Sequence, residues 1–238
     1  MALSAGERYV FYATIRNRSE LSQCNPGGDA AVCDLAAVAS LDLTTGASSQ
    51  TVLPQGCGYP VLHAGSANMV VAACTNMGYV QEMDAQGHVL AHDDFGARAL
   101  FGFVLSDGRL GAVLRDGTVP LRNQDQSVTR IDTLQTRGAV VSPTDQTFDL
   151  GNNRLLIPYT FGNVVGSPVG FVVVNVVTQR VEHRVAPTTA VSVVPRGSSQ
   201  LLLLSRGAIH TYDLGTASTA EVAYHPVTNQ TAAEVLVP

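Results

Sequence analysis

Five times along the chain an apolar run ends in a polar turn of similar make: LDLTTG from Leu41, EMDAQG from Glu82, LRNQDQ from Leu121, VNVVTQ from Val174 and YDLGTA from Tyr212. Successive copies lie about 40 residues apart, with one longer interval of about 53 before Val174. Such self-similarity constrains the fold more than composition does, because each unit must bury its faces against its neighbours. The unit best delimited by its own turns is Leu100–Leu134. Asp107-Gly108 and Asp116-Gly117 each stand between runs rich in Val, Leu and Phe. That is a hairpin signal, and it predicts type I′ turns with φ > 0 at both central residues. The two pairs divide the stretch into strands Leu100–Ser106, Arg109–Arg115, Thr118–Arg122 and Ser127–Leu134, an up-and-down meander.

The same plan extends in both directions. The unit before it reads Pro60–Ala64, Met69–Cys74, Tyr79–Asp84 and His88–Asp93. After it come Ala139–Leu150, Arg154–Thr160, Gly170–Val177 and Arg180–Ala186, then Ala190–Pro195, Gln200–Ser205, Ala208–Leu214 and Thr219–His225. The opening unit shows only three strands, Arg8–Ile15, Ala36–Leu43 and Ser49–Leu53, and one extended run, Ala232–Pro238, is left over at the end. Phe171–Val174 and Leu201–Leu204 are apolar on both faces, as sheets sandwiched between two neighbours require.

Four strands per unit at this period read as a β-propeller. The expected fold is a single all-β domain over residues 1–238: a five-bladed β-propeller of four-stranded antiparallel blades. Its blades fall near 7–54 plus 231–238, 59–94, 99–134, 138–186 and 189–226. In this reading Ala232–Val237 joins the first blade as its innermost strand and closes the ring without an exposed edge. A β-sandwich of irregular meanders is the alternative. The third strands with their turns, such as Tyr212-Asp213-Leu214-Gly215-Thr216 and Leu41-Asp42-Leu43-Thr44-Thr45-Gly46, resemble the YVTN-like and quinoprotein amine dehydrogenase-like repeat families. The YVTN-type tetrapeptide itself is absent. The resemblance implies a fold and leaves activity open, since propellers host many functions.

A net charge of −5 offers no basic footprint for nucleic acid. All 14 cationic side chains are Arg, which read planar anions bidentately, although a codon-biased genome gives the same composition. No apolar run approaches the length needed to span a bilayer as a helix. The segment MALSAGERYV lacks the regions of a signal peptide, so an exported form would have lost its signal. Compartment is therefore read from the cysteines. Cys57 and Cys74 flank a hairpin centred near Gly65-Ser66, and Cys24 and Cys33 bracket a short Pro-Gly-Gly loop. Disulfides Cys24–Cys33 and Cys57–Cys74 are expected, which places the protein in the periplasm or outside the cell. A four-thiolate zinc site would want shorter spacings.

Enzymatic signatures are sparse. Glycoside hydrolysis needs two carboxyls across the scissile bond. The inner strands Pro60–Ala64, Leu100–Leu105 and Ala190–Val194 carry none, leaving Glu234, Asp145 and Asp149 as the nearby acids. Asp93 and Asp94 read as outer-strand surface. The six histidines share no ligand spacing, and neither metal nor cofactor is expected. With no Trp, a lectin would lack its usual aromatic platforms. The long loops Arg16–Asp34 and Phe161–Pro168 would share one face with the links between blades. The expected function is a non-catalytic scaffold or accessory subunit of an envelope complex, docking a protein partner through that face. The alternative is a small-molecule or carbohydrate binder, or an enzyme, working at the channel mouth. Arg98 and Arg137 each stand just before an innermost strand, and Tyr59 occupies the matching place one unit earlier. Together they are candidates for holding a carboxylate or phosphate, unless each Arg pairs with a nearby acid such as Asp94.

Overall fold

A computed structural model of the chain describes residues 2–3, 8–15, 36–57, 60–65, 68–135, 138–141, 147–161, 168–187, 189–205 and 207–224. All regular structure among them is β, in five antiparallel sheets whose strands follow chain order. The first holds β1 (Ala2–Leu3), β2 (Tyr9–Ile15), β3 (Ala36–Asp42) and β4 (Ser48–Val52). The second holds β5 (Pro60–Ala64), β6 (Met69–Cys74), β7 (Tyr79–Asp84) and β8 (Val89–Asp94). The third holds β9 (Ala99–Val104), β10 (Leu110–Leu114), β11 (Thr118–Arg122) and β12 (Val128–Asp132). The fourth runs β13 (Ala139–Val141), β15 (Arg154–Phe161), β16 (Gly170–Asn175) and β17 (Arg180–Val185), with β14 (Phe148–Asp149) paired to β15 beside that path. The fifth holds β18 (Ala190–Arg196), β19 (Gln200–Ser205), β20 (Ala208–Asp213) and β21 (Ser218–Tyr224).

The closing strand expected from Ala232–Val237 lies outside the described residues. Along β2 lies β1, with Ala2 opposite Phe11 and Leu3 opposite Val10. The first sheet thus takes its fourth strand from the residues just before it. Likewise, the single expected strand Ala139–Leu150 appears as two separate short strands, β13 and β14.

The chain divides into two compact units, one of Met1–Arg115 with Val119–Arg130, the other of Asp116–Thr118 with Ile131–Pro238. In the first, Phe11, Val38 and Leu53 of the first sheet pack on Val70, Ala72 and Met83 of the second. The opposite face of the second sheet sets Val71, Ala73 and Val80 against Ala99, Leu110 and Ala112 of the third. Alternate residues of one strand therefore serve two cores, and β6 and β10 are buried almost throughout. Gly102 marks the tightest approach: a Cβ there would lie 2.6 Å from Val80 Cγ1 and 2.7 Å from Val71 Cγ1. In the second unit, Leu156, Phe171 and Val173 pack on Val193, Leu201 and Tyr212. The outermost strands β4 and β17 alternate between exposed and half-buried positions, as one-sided strands do.

The hairpin turns differ from the type I′ expected. At Asp107-Gly108 only the glycine has positive φ, at 82°. Gly108 N donates to the Leu105 carbonyl at 2.9 Å, and Leu105 N donates to the Arg109 carbonyl at 2.9 Å. That is a three-residue loop in which Gly108 takes the left-handed position after a tight turn. The bond pattern repeats at Asp84–His88 with Gly87 and at Asn123–Ser127 with Gln126 in the left-handed place. Two consecutive non-glycine residues of positive φ occur instead at Asn152 and Asn153.

Candidate functional site

In the first unit, the links between sheets and the β6–β7 turn form one stitched surface. Cys57, in the link from β4 to β5, is bonded to Cys74 at the end of β6 with Cα atoms 4.6 Å apart. Backbone bonds continue the seam. Asn76 N donates to the Cys57 carbonyl at 3.4 Å, Phe95 N to Gly78 at 3.0 Å, Ala99 N to Met77 at 3.0 Å and Arg115 N to Arg98 at 3.0 Å. Gly78 allows the approach, since a Cβ there would meet Gly96 N at 2.4 Å and Ala97 O at 2.7 Å, both backbone atoms. Gly78→Ala is therefore expected to cost about 2 kcal/mol or more, because neither neighbour can swing away. Urea unfolding of the variant checks this.

Arg98 sits on this seam, exposed, with no side-chain hydrogen bond or ion pair among the described residues. Asp94, the nearby acid named above as its alternative partner, accepts from Gly96 N at 2.9 Å. Arg137 and Tyr59 lie outside the described residues, as do Cys24, Cys33, Glu234 and Asp145. Asp149 is exposed and caps its own turn, accepting from Gly151 N at 2.7 Å. Of the predicted site residues, then, the Cys57–Cys74 disulfide and an exposed Arg98 are described in the same seam.

Two further arginines fasten links in a way the sequence did not signal. Arg130 of β12 donates from Nη2 to the Phe95 carbonyl at 3.1 Å, at the link preceding its own sheet. In the second unit, Arg184 of β17 donates to the Thr133 carbonyl at 2.8 Å and also to the Leu134 carbonyl, again in the link before its sheet. A forked donor on a long stem suits a pair of adjacent carbonyls, which a single ammonium does not span as well.

A second feature of the first unit is a cleft of about 400 Å³ between the outer strand β8 and the third sheet. Asp93, expected at the surface, is buried beside it, because Arg122 donates from Nε and Nη2 to both carboxylate oxygens. Arg122 also donates from Nη1 to the Gln126 carbonyl. On the other wall, Arg109 donates from Nε to Asp107 at 2.9 Å and from Nη1 to Asn123 Oδ1 at 3.4 Å. The two wall pairs come from separate strands and turns, so no local sequence pattern announces them.

His63 on β5 lies against Phe101, ring centroids 3.8 Å apart, with its Nε2 buried and without a hydrogen-bond partner among the described residues. Burial holds the imidazole down at about 4. In the unfolded chain it titrates near pH 6.5. Between those values the unfolded state binds a proton that the native state does not, so stability falls as pH drops from about 6.5 to 4. His63→Leu is expected to flatten that slope in denaturation midpoints measured across the window.

No family model matches the chain, and no curated protein matches its sequence. Solved structures do. The chain is similar to the Dos1 propeller at 11% identity and a TM-score of 0.58, over 93% of this chain and 61% of that one. For U3-55K the identity is 12% and the TM-score 0.60, over 94% and 65%. For BamB from Moraxella catarrhalis they are 11% and 0.51, over 81% and 62%. This chain thus spans less than two thirds of the length of each. Identities this low speak for fold alone, and the fold they share is that of β-propeller repeat proteins.

Proposed function

We propose that this β-propeller-like chain is five-bladed and serves as a non-catalytic scaffold or accessory subunit of an extracytoplasmic complex, docking a protein partner through its link-bearing face. Five successive sheets, each with a four-stranded meander path, support the blade count. In this reading the first blade takes Ala2–Leu3 as the strand beside β2 at Phe11 and Val10. Deleting residues 232–238 should leave the melting midpoint unchanged, and a large drop would restore the C-terminal strand to that role. The disulfide supports an oxidising compartment. Among the described residues, no helix is long and apolar enough to cross a membrane.

The observation that carries the docking role is the seam itself. Backbone bonds and a disulfide hold its loops fixed, while exposed Arg98 has no side-chain acceptor among the described residues. Pre-ordered loops lose little entropy on association, and Arg is favoured at interface cores. The test is affinity capture from the envelope fraction of the source organism, with wild type and Arg98→Glu side by side. A partner held by the first and lost by the second is the expected result. Identical capture by both, or a partner recovered only from the cytoplasmic fraction, overturns it.

A further inference from the structure

Beyond that docking role, and independently of it, we propose that the cleft between β8 and the third sheet binds an uncharged saccharide. Its charged walls cancel: Asp93 stands against Arg122 and Asp107 against Arg109. A carboxylate or phosphate entering there would meet two carboxylates, and an ammonium would meet two guanidinium groups. Neither ion gains a net partner. A hydroxyl, in contrast, both donates and accepts, and it uses what these pairs leave over. Each bonded carboxylate oxygen keeps a second lone-pair direction, and Arg109 Nη2 has no acceptor among the described residues.

Two side-chain amides add matched donors and acceptors. Gln124 and Gln126 line the cleft, are exposed, and make no side-chain hydrogen bond among the described residues. Arg109 is meanwhile held in place from two sides by Asp107 and Asn123, so its free nitrogen is already aimed before anything binds. Ala91 and Leu110 supply an apolar strip, and Leu90 stands half exposed at the rim. Aliphatic carbons of this kind can cover the C–H face of a sugar where no aromatic platform exists. About 400 Å³ lies at the small end of ligand sites and suits one or two sugar rings.

The test is ligand-observed saturation-transfer NMR on the full chain. The probes are glucose, galactose, mannose, N-acetylglucosamine and cellobiose, with citrate and methyl phosphate, whose C–H protons report in the same experiment, as anionic controls. At least one sugar is expected to take up saturation on its ring protons while the anions stay silent. Two variants are read in parallel, Arg109→Met and the pair Gln124→Ala with Gln126→Gly. Glycine is used at 126 because the backbone there has φ of 68°. Each should weaken binding at least about tenfold at an unchanged melting midpoint. Silence of every sugar, tighter binding of an anion, or equal binding by all variants overturns the proposal. Should Arg109→Met fail to fold, the glutamine pair decides alone, since neither side-chain amide has a hydrogen-bond partner among the described residues.

Discussion

Reducing the Cys57–Cys74 bond, or replacing both residues with Ala, should lower the melting midpoint by roughly 6–12 °C in a domain of this size. The bond closes a loop with a sequence separation of 17, for which the lost restraint on the unfolded chain corresponds to about 3 kcal/mol. Both cysteines are fully buried, so the Ala pair also leaves small voids at the seam. Scanning calorimetry with and without dithiothreitol gives the comparison. A midpoint indifferent to reductant, with free thiols confirmed by mass spectrometry, would remove the stabilising role and with it the argument from the cysteines to an oxidising compartment.

Phe171→Ala is expected to cost about 4 kcal/mol, the larger of the two effects. Phe171 is 1% exposed, on a central strand of the fourth sheet. Its ring meets Tyr212 of the fifth sheet edge to face, with the planes at 80° and the centroids 5.1 Å apart. Truncation forfeits the transfer of a whole ring, opens a cavity between two sheets and removes the aromatic contact. Phe161→Ala is the control, since that ring is 50% exposed at the end of β15 and should cost well under 1 kcal/mol. Urea unfolding of both variants decides. A Phe171 variant within 1 kcal/mol of wild type would mean that the fourth and fifth sheets do not share the core seen here.

Much of this architecture is legible in the residues because the governing signals are local. Apolar runs on both faces identify β16 and β19 as sandwiched strands, and Asp or Asn at the end of the third strands marks the turn that follows. Asp42, Asp84, Asn175 and Asp213 each accept from backbone N–H groups two to four residues on, so their recurrence has a mechanical cause. What was misread follows from geometry that residue type does not fix. Asp-Gly supports either a two-residue loop or a three-residue loop with a left-handed glycine, and the pairing of the flanking strands chooses between them. Asp93 reads as surface from its own strand because its partner, Arg122, lies in another sheet. The arginine fasteners were invisible for the same reason: Arg130 and Arg184 reach carbonyls 35 and 51 residues away. The predicted anion site reduces to Arg98 among the described residues, and the cleft was missed because its walls come from noncontiguous turns.

The disulfide also bears on how the chain would respond to mechanical load. A molecule stretched from its two ends transmits tension along the covalent path, and at Cys57 that path passes through sulfur to Cys74. The hairpin of β5 and β6 is bypassed and feels no pull. About 60 Å of contour length therefore stays hidden from the force until the bond is reduced. An optical trap would register the difference as a shorter extension per unfolding event in oxidised protein. Under load, a segment shielded from tension in this way keeps its shape while its neighbours are drawn out.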